Sequence, residues 1–275
     1  MYLRAYDYLK QIQADNLNAI ISNDTAIRLQ AEMSSQAECI SYLVQKYDVD
    51  IEFSDTTIWS NSVSYKALHR FYLDYPTYVV STSYAINDLV TYLGNCYICT
   101  AVTTGTFNPS KWTLLGAQYD MFYGSLPAPY FSYTSTYMVG DQVFYKDKVW
   151  TCKQNNVVGI MPTDPNLGFA NWGNGVAYSI PSGTLPTDST KFTLGDNRSQ
   201  QLVMYCIDIV LYHIHSRISP RNIPQLRMDR YDRAIEWLKE AGGQNTAITA
   251  AIPLLVPNQG MRIRWSSYPR NINTY

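Results

Sequence analysis

Hydrophobic and polar positions divide this chain into stretches of different period. Between Asp24 and Tyr47, the residues Ala26, Leu29, Met33, Ala37, Ile40, Val44 and Tyr47 recur at steps of three and four. That spacing predicts a helix with one apolar face, capped by Asp24. Asp15 predicts the cap of a shorter helix running to Ile21. From about Thr77 to Gly183 alternation replaces the helical period, as in Leu89-Val90-Thr91-Tyr92 and Gln142-Val143-Phe144-Tyr145, and predicts short antiparallel strands. The stretch from Leu202 to Ile214 is apolar on nearly all sides, so a buried helix is expected there. Its Asp208 is expected to pair with an arginine, because a lone buried carboxylate is costly. A last helix is predicted after Pro224, with Met228, Tyr231, Ile235 and Leu238 on one face, an Asp229–Arg233 pair on its surface and Gly242-Gly243 at its end. Beyond Ile248 no helical period remains, and Arg262-Ile263-Arg264-Trp265 alternates like a strand.

The alternating stretch contains a repeat. Tyr84, Asp88, Val90, Tyr92, Tyr97 and Cys99 return 53 residues later as Tyr137, Asp141, Val143, Tyr145, Trp150 and Cys152. Each set is followed by a Gly, a Pro and a Trp: Gly105, Pro109 and Trp112, then Gly159, Pro162 and Trp172. Six aligned positions at one offset identify a duplication. Each copy reads as a three-stranded sheet too small to bury much by itself.

The expected fold class is therefore α+β, a small helical bundle with an inserted all-β domain of two short repeats and an extended C-terminal arm. Residues 1–76 and 184–247 supply the helical halves and 77–183 the insert, with repeats at about 79–116 and 133–175. Residues 248–275 form the arm.

Composition adds a partner question. Of 275 residues, 46% are hydrophobic and only 16% charged, while 24 are tyrosine. Tyrosine offers large contact area with one polar end, so such a chain has surfaces suited to association, with protein or with sugar. The net charge of -1 argues against a nucleic-acid coat. Residues 1–76 carry 6 basic and 10 acidic side chains, whereas 217–275 carry 9 basic and 4 acidic, which suits either head-to-tail contact between copies or chance asymmetry on solvated faces. No signal peptide is expected from the mixed Met1–Ile12 stretch, and no run of 18 apolar residues predicts a membrane span.

Candidate chemistry is sparse. Cys96 and Cys99 form a CxxC with no second CxxC or CxxH, so the five cysteines are expected to be buried free thiols and no metal is expected. His213 and His215 lie two apart, which places them on different helix faces. No HExxH, GxxxxGK[ST] or GxSxG is present, and no catalytic residue or cofactor is expected. Asp229 and Asp232 sit beside Arg227, Arg230 and Arg233, as in a salt-bridged face. Trp112, Trp150, Trp172, Tyr97 and Tyr145 are either the small cores of the repeats or a stacking platform for a glycan or partner.

Two resemblances bear on function. Arg217-Ile218-Ser219-Pro220-Arg221-Asn222-Ile223-Pro224 followed by Arg230-Tyr231-Asp232-Arg233-Ala234-Ile235-Glu236-Trp237-Leu238-Lys239 resembles the C-terminal signature of tailed-phage head–tail connector proteins of the Mu-like head-completion type. Ile40-Ser41-Tyr42-Leu43-Val44-Gln45-Lys46-Tyr47 resembles that family's YL-x-x-RY helix end, and Arg262-Ile263-Arg264-Trp265 with Arg270-Asn271 its C-terminal arm. The matches span 1–53 and 196–275. They imply a helical bundle, no enzyme activity, and a ring of usually twelve copies on the portal protein, in a virion assembled in the host cytoplasm. The ring would pass DNA without sequence-specific binding and meet the next tail protein. The arm residues Arg262, Arg264, Trp265, Tyr268, Arg270 and Tyr275 would contact the portal or a neighbouring subunit. The repeats resemble chitin-type carbohydrate-binding modules (Y-x-x-GD-x-V-x-Y-x-G-x-x-Y/W), with Asn87-Asp88 in place of Gly-Asp in the first copy. That resemblance implies the alternative, a fibre or baseplate protein contacting host-surface glycan.

Overall fold

The structure is a computed structural model and describes residues 1–218, 221–243, 250 and 252. It is a mixed α+β protein. A 3-10 helix (Ala5–Lys10), α1 (Ala14–Ile20), α2 (Thr25–Leu43) and α3 (Val49–Glu52) come first. The strands follow: β1 (Thr56–Ile58), β2 (Arg70–Tyr72), β3 (Leu89–Tyr92), β4 (Asn95–Cys99), β5 (Trp112–Ala117), β6 (Met121–Gly124), β7 (Gln142–Tyr145), β8 (Lys148–Thr151), β9 (Val176–Ala177) and β10 (Phe192–Leu194). A one-turn α4 (Gly168–Asn171) lies before β9, and α5 (Gln200–Ile218) and α6 (Gln225–Gly242) follow β10. Strands thus begin before position 77 and continue past 183, a longer stretch than alternation alone marks.

Helices from both ends of the chain share one core. Leu17, Cys39 and Leu43 pack with Leu202, Cys206, Val210, Trp237 and Leu238. Helix α5 is its centre, buried from Leu202 to Ile214 except at Met204, Tyr212 and His213. Asp208 is buried within it and meets Arg230 of α6 at 3.5 Å, as its position requires. Pro224 starts α6 and Gly242 closes it, because a Cβ at 242 would collide with the Tyr42 carbonyl. Asp229 bonds Gln225, one turn before it, and not Arg233.

Helix α2 departs from the expectation. Asp24 caps it, accepting from the Ala26 amide at 2.9 Å. Yet its buried side is Ala31, Glu32, Ser35, Cys39 and Leu43, while Leu29, Met33, Ala37 and Val44 face outward. Two polar residues turn the helix this way because each finds a buried partner. Tyr8 Oη donates to Glu32 Oε1 at 2.8 Å, and Ser35 Oγ donates to the Cys206 carbonyl at 3.0 Å. Asp15 lies inside the first turn of α1, which is preceded by Gln13.

The two repeats form separate three-stranded sheets, β3-β4-β5 and β7-β8-β9, as the duplication predicts. The remaining sheet, β1-β2-β6-β10, is a third copy of the same unit, split in sequence. One tyrosine marks each copy. The hydroxyls of Tyr84, Tyr137 and Tyr65 accept from the amides of Val79, Ser132 and Ser60, each 2.8 Å away and five positions upstream. The same tyrosines form isolated bridges to Thr103, Val157 and Ile180. Asn87, Gly140 and Leu68, all at positive φ, donate to the carbonyls of Cys99, Cys152 and Gly124. Those three in turn pair with Trp112, Trp172 and Phe192.

The copies are nested. The first inner module (about 75–119) occupies the hairpin turn between β2 and β6 of the outer module. The second (about 129–178) occupies the connection between β6 and Ile180. The backs of the sheets are used differently. Cys96, Ile98 and Leu115 of the first inner module join Trp59, Phe71, Leu73, Phe122 and Phe192 of the outer module in one core, whereas the second inner module keeps its own.

Candidate functional site

The aromatic residues divide by register along their strands. Trp112 and Trp172 pair with Cys99 and Cys152, which turns both indoles inward. Trp172 is 0% exposed, its indole N–H donating to the Ile160 carbonyl at 2.9 Å, and Trp112 packs edge-on against Tyr78 and Tyr84. Tyr145 is also buried, with its hydroxyl on Met161 Sδ. Trp112, Trp172 and Tyr145 are thus buried within their modules.

Tyr97 and Trp150 are half-buried. Trp150 lies against Gly175, where a Cβ would strike the indole, and its N–H donates to the Tyr145 carbonyl. Tyr97 belongs to a half-buried group on the first inner module that sequence reasoning did not assemble. Tyr92 stacks on Phe107 at 4.1 Å between ring centres, and Tyr97 meets Phe107 at 5.1 Å. The corresponding outer-module positions, Leu73, Phe122 and Leu185, lie under the first inner module's sheet.

A second surface is the outward side of α2. Met33 is 62% exposed, Val44 44% and Leu29 40%. Together with Ala37 they form an apolar stripe that stays exposed among the described residues, at the helical spacing read from the sequence.

Polar groups concentrate at two places the sequence did not signal. The first joins helices to strands. Arg198 is fully buried and uses all five of its donors: two on Asp7, two on Asp196 and one on the Tyr2 carbonyl. Arg4 also bonds Asp7. Beside this cluster, buried Arg70 reaches Glu52 and its carbonyl, and Glu52 accepts from Tyr2 Oη and the Ser199 amide. Burial pushes the Asp7 and Asp196 carboxyls up, but the Arg198 guanidinium outweighs it, and Asp196 is held down at about 2. Burial prevails at Glu52 and Glu32 and raises both.

The second place is a cleft of about 520 Å³ between α3, the 66–69 turn and the β7–β8 turn. It is lined by Asp48, Lys66, His69, Tyr130, Lys146 and Asp147, and Lys66 Nζ meets Asp147 Oδ2 at 2.6 Å. Burial raises the Asp48 carboxyl and lowers His69.

Among the described residues, no group of three or more His, Cys, Asp or Glu side chains is placed to hold a metal ion. Cys96 and Cys99 lie on opposite sides of β4, one in the shared core and one in the module core. All five cysteines are buried and free. His213 Nε2 lies 3.1 Å from Glu38 Oε2, and Tyr231 Oη donates to Glu38 Oε1. No helix among the described residues is long and apolar enough to cross a membrane. Arg262, Arg264, Trp265, Tyr268, Arg270 and Tyr275 of the arm lie outside the described residues. No protein-family model matches this chain, and no curated protein matches it.

Proposed function

We propose that this protein is a structural ring subunit of a tailed-phage virion, a head–tail adaptor. Twelve copies would continue the DNA channel below the portal and present a platform to the next tail protein. The observation that carries this reading is the outward apolar stripe of α2. The helix satisfies its own core through another side, and among the described residues Leu29, Met33 and Val44 stay exposed, which suits contact with a neighbouring chain. Two further features agree with it. Of the segments that resemble the connector family, 1–53 and 196–275, the described helices share one core, which supports that reading. The β modules all fall between them and leave both bundle halves together. Ring closure adds weak contacts into a stable assembly without strong pairwise affinity.

The test is assembly with the portal protein. The full chain mixed with portal is expected to form rings or ring-bound copies, read by light scattering and negative-stain imaging. Leu29→Asp with Met33→Asp is expected to abolish the ring while leaving helical circular dichroism unchanged, since both side chains project outward. A wild-type chain that stays monomeric with and without portal would overturn the adaptor reading. The arm is assigned to the portal contact, and a 1–256 chain is expected to lose portal binding.

A second reading, glycan binding by a fibre or baseplate part, is favoured by the half-buried Tyr92–Phe107–Tyr97 stack. Aromatic faces hold pyranose rings by apolar contact, and of the residues first considered for this role Tyr97 and Trp150 are the ones with exposed area.

A further inference from the structure

Two buried thiols meet across the contact between α2 and α5. Cys39 Sγ and Cys206 Sγ are 3.4 Å apart, and both side chains are sealed from solvent. A disulfide brings sulfurs to about 2.05 Å, so closure needs an approach of roughly 1.3 Å between atoms that already face each other. The Ser35 hydroxyl on the Cys206 carbonyl, one turn of α2 before Cys39, fixes the two helices in this register. The other three thiols are engaged elsewhere: Cys96 with Thr91 Oγ1, Cys99 with the Ala101 carbonyl and Cys152 with the Gln154 carbonyl.

The surroundings distinguish the two sulfurs. A void of about 10 Å³, enough for one water-sized molecule, borders Cys206 together with Tyr2, Glu32 and Ser35. Cys39 does not line it. A small oxidant that enters when the helices breathe therefore reaches Cys206 first. Burial raises the Cys206 thiol well above its ordinary value, which keeps it protonated and makes the reaction slow in the closed state.

We propose that Cys39 and Cys206 are a disulfide-forming pair that ties α2 to α5 when the protein meets a peroxide-class oxidant. Cys206 sulfur attacks one peroxide oxygen, the O–O bond breaks, and Cys206 becomes a sulfenic acid as the first water leaves. Cys39 sulfur then attacks the Cys206 sulfur, the S–S bond forms, and the hydroxyl leaves with the Cys39 proton as a second water. Two thiols and one hydrogen peroxide give one disulfide and two waters. The bond closes a loop of 167 positions that contains every described strand, so it restricts the unfolded chain strongly. A chain made in a reducing compartment would carry open thiols, and one released into an oxidising medium would close them. The inference does not depend on the ring assignment.

The experiment uses the full chain and hydrogen peroxide, followed by denaturation, alkylation and intact-mass measurement. The expected product has lost two hydrogens and takes up three alkyl groups where the untreated chain takes five. Non-reducing proteolysis should return one cross-linked peptide pair containing Cys39 and Cys206. The thermal midpoint should rise by roughly 5 °C or more and fall back on addition of a dithiol. Cys39→Ala should give an oxygen adduct at Cys206 and no cross-link. Five alkylatable thiols after treatment, or sulfinate at Cys206 in the wild-type chain with Cys39 still free, would overturn the pairing. A cross-link that lowers the midpoint would overturn the locking role.

Discussion

Arg198→Met is expected to remove about 3–5 kcal/mol of stability at neutral pH, the cost of stranding a buried carboxylate whose partner is gone. Arg198 and Asp7 are both without solvent exposure, so water cannot take over the lost bonds. Methionine fills part of the space but supplies none of the five donors that hold Asp7, Asp196 and the Tyr2 carbonyl. The pH response separates this explanation from a packing defect. Asp7 and Asp196 have folded values below the ordinary 3.8, so the stability they confer is whole above that value and declines as pH falls toward about 2. Glu32 and Glu52 are raised above their ordinary 4.5, so protonating them near that value favours the folded state. The wild type should therefore hold its stability down to about pH 4 and lose it below. In the variant Asp7 keeps Arg4 and, at 4.0 Å, Lys10, but loses both bonds from Arg198, so its carboxyl rises and acid relieves part of the penalty. Urea unfolding at pH 7 and pH 3 measures this: the gap between the two proteins should narrow at the lower pH. A gap below about 1 kcal/mol at pH 7, or one that does not change with pH, would refute the buried-pair account.

How far the sequence reveals the fold depends on which signal each element rests on. Helix α5 was legible because its apolar residues cover nearly all sides, so no choice of face arises. Helix α2 was legible as a helix, but its orientation was not. Periodicity counts apolar residues, and the inward side of α2 is decided by Glu32 and Ser35 through partners on the 3-10 helix and α5. The two inner modules were legible because their matching residues keep one offset. The outer module was not, because its pieces are separated by the modules nested within it and no period survives. Its turn residue is Leu68 at φ 63, where the inner copies have Asn87 and Gly140, so the usual signal for a left-handed position is missing. A trace does remain in Lys191-Phe192-Thr193-Leu194, which parallels Lys111-Trp112-Thr113-Leu114. The aromatic candidates were legible as module residues, yet which face each ring takes follows from strand register. The Arg198 and Arg70 clusters have no local pattern at all, since their partners come from segments up to 196 positions away.

Nesting makes the two inner modules unequal, and excision should expose the difference. In the first inner module three residues, 100–102, connect Cys99 to Thr103. In the outer module the same connection, Gly124 to Ile180, holds the entire second inner module. Replacing 125–179 by Thr-Ala-Val should therefore restore the short form of the loop. The new threonine amide would take the place of the Ser125 amide on the Lys191 carbonyl, as the Thr100 amide does on Lys111. The exposed Lys66–Asp147 bridge goes, which costs about 1 kcal/mol or less, half-buried Tyr178 leaves the edge of the shared core, and the second module's core leaves as a unit. Thermal unfolding of this shortened chain should stay cooperative and close to the wild-type midpoint. The matching operation on the first inner module, 74–119 replaced by Asn-Gly in the manner of the Leu93-Gly94 turn, preserves the β2–β6 hairpin equally well on paper. It also removes Cys96, Ile98 and Leu115 from the shared core and bares Leu73 and Phe122, each side chain contributing about 1.5–3 kcal/mol when buried. The lost burial exceeds what one small sheet can spare, so the outer module should unfold and the chain aggregate while its helical signal persists. A tolerated loss of the first inner module, or an intolerable loss of the second, would show that the three units are not nested in this order of dependence.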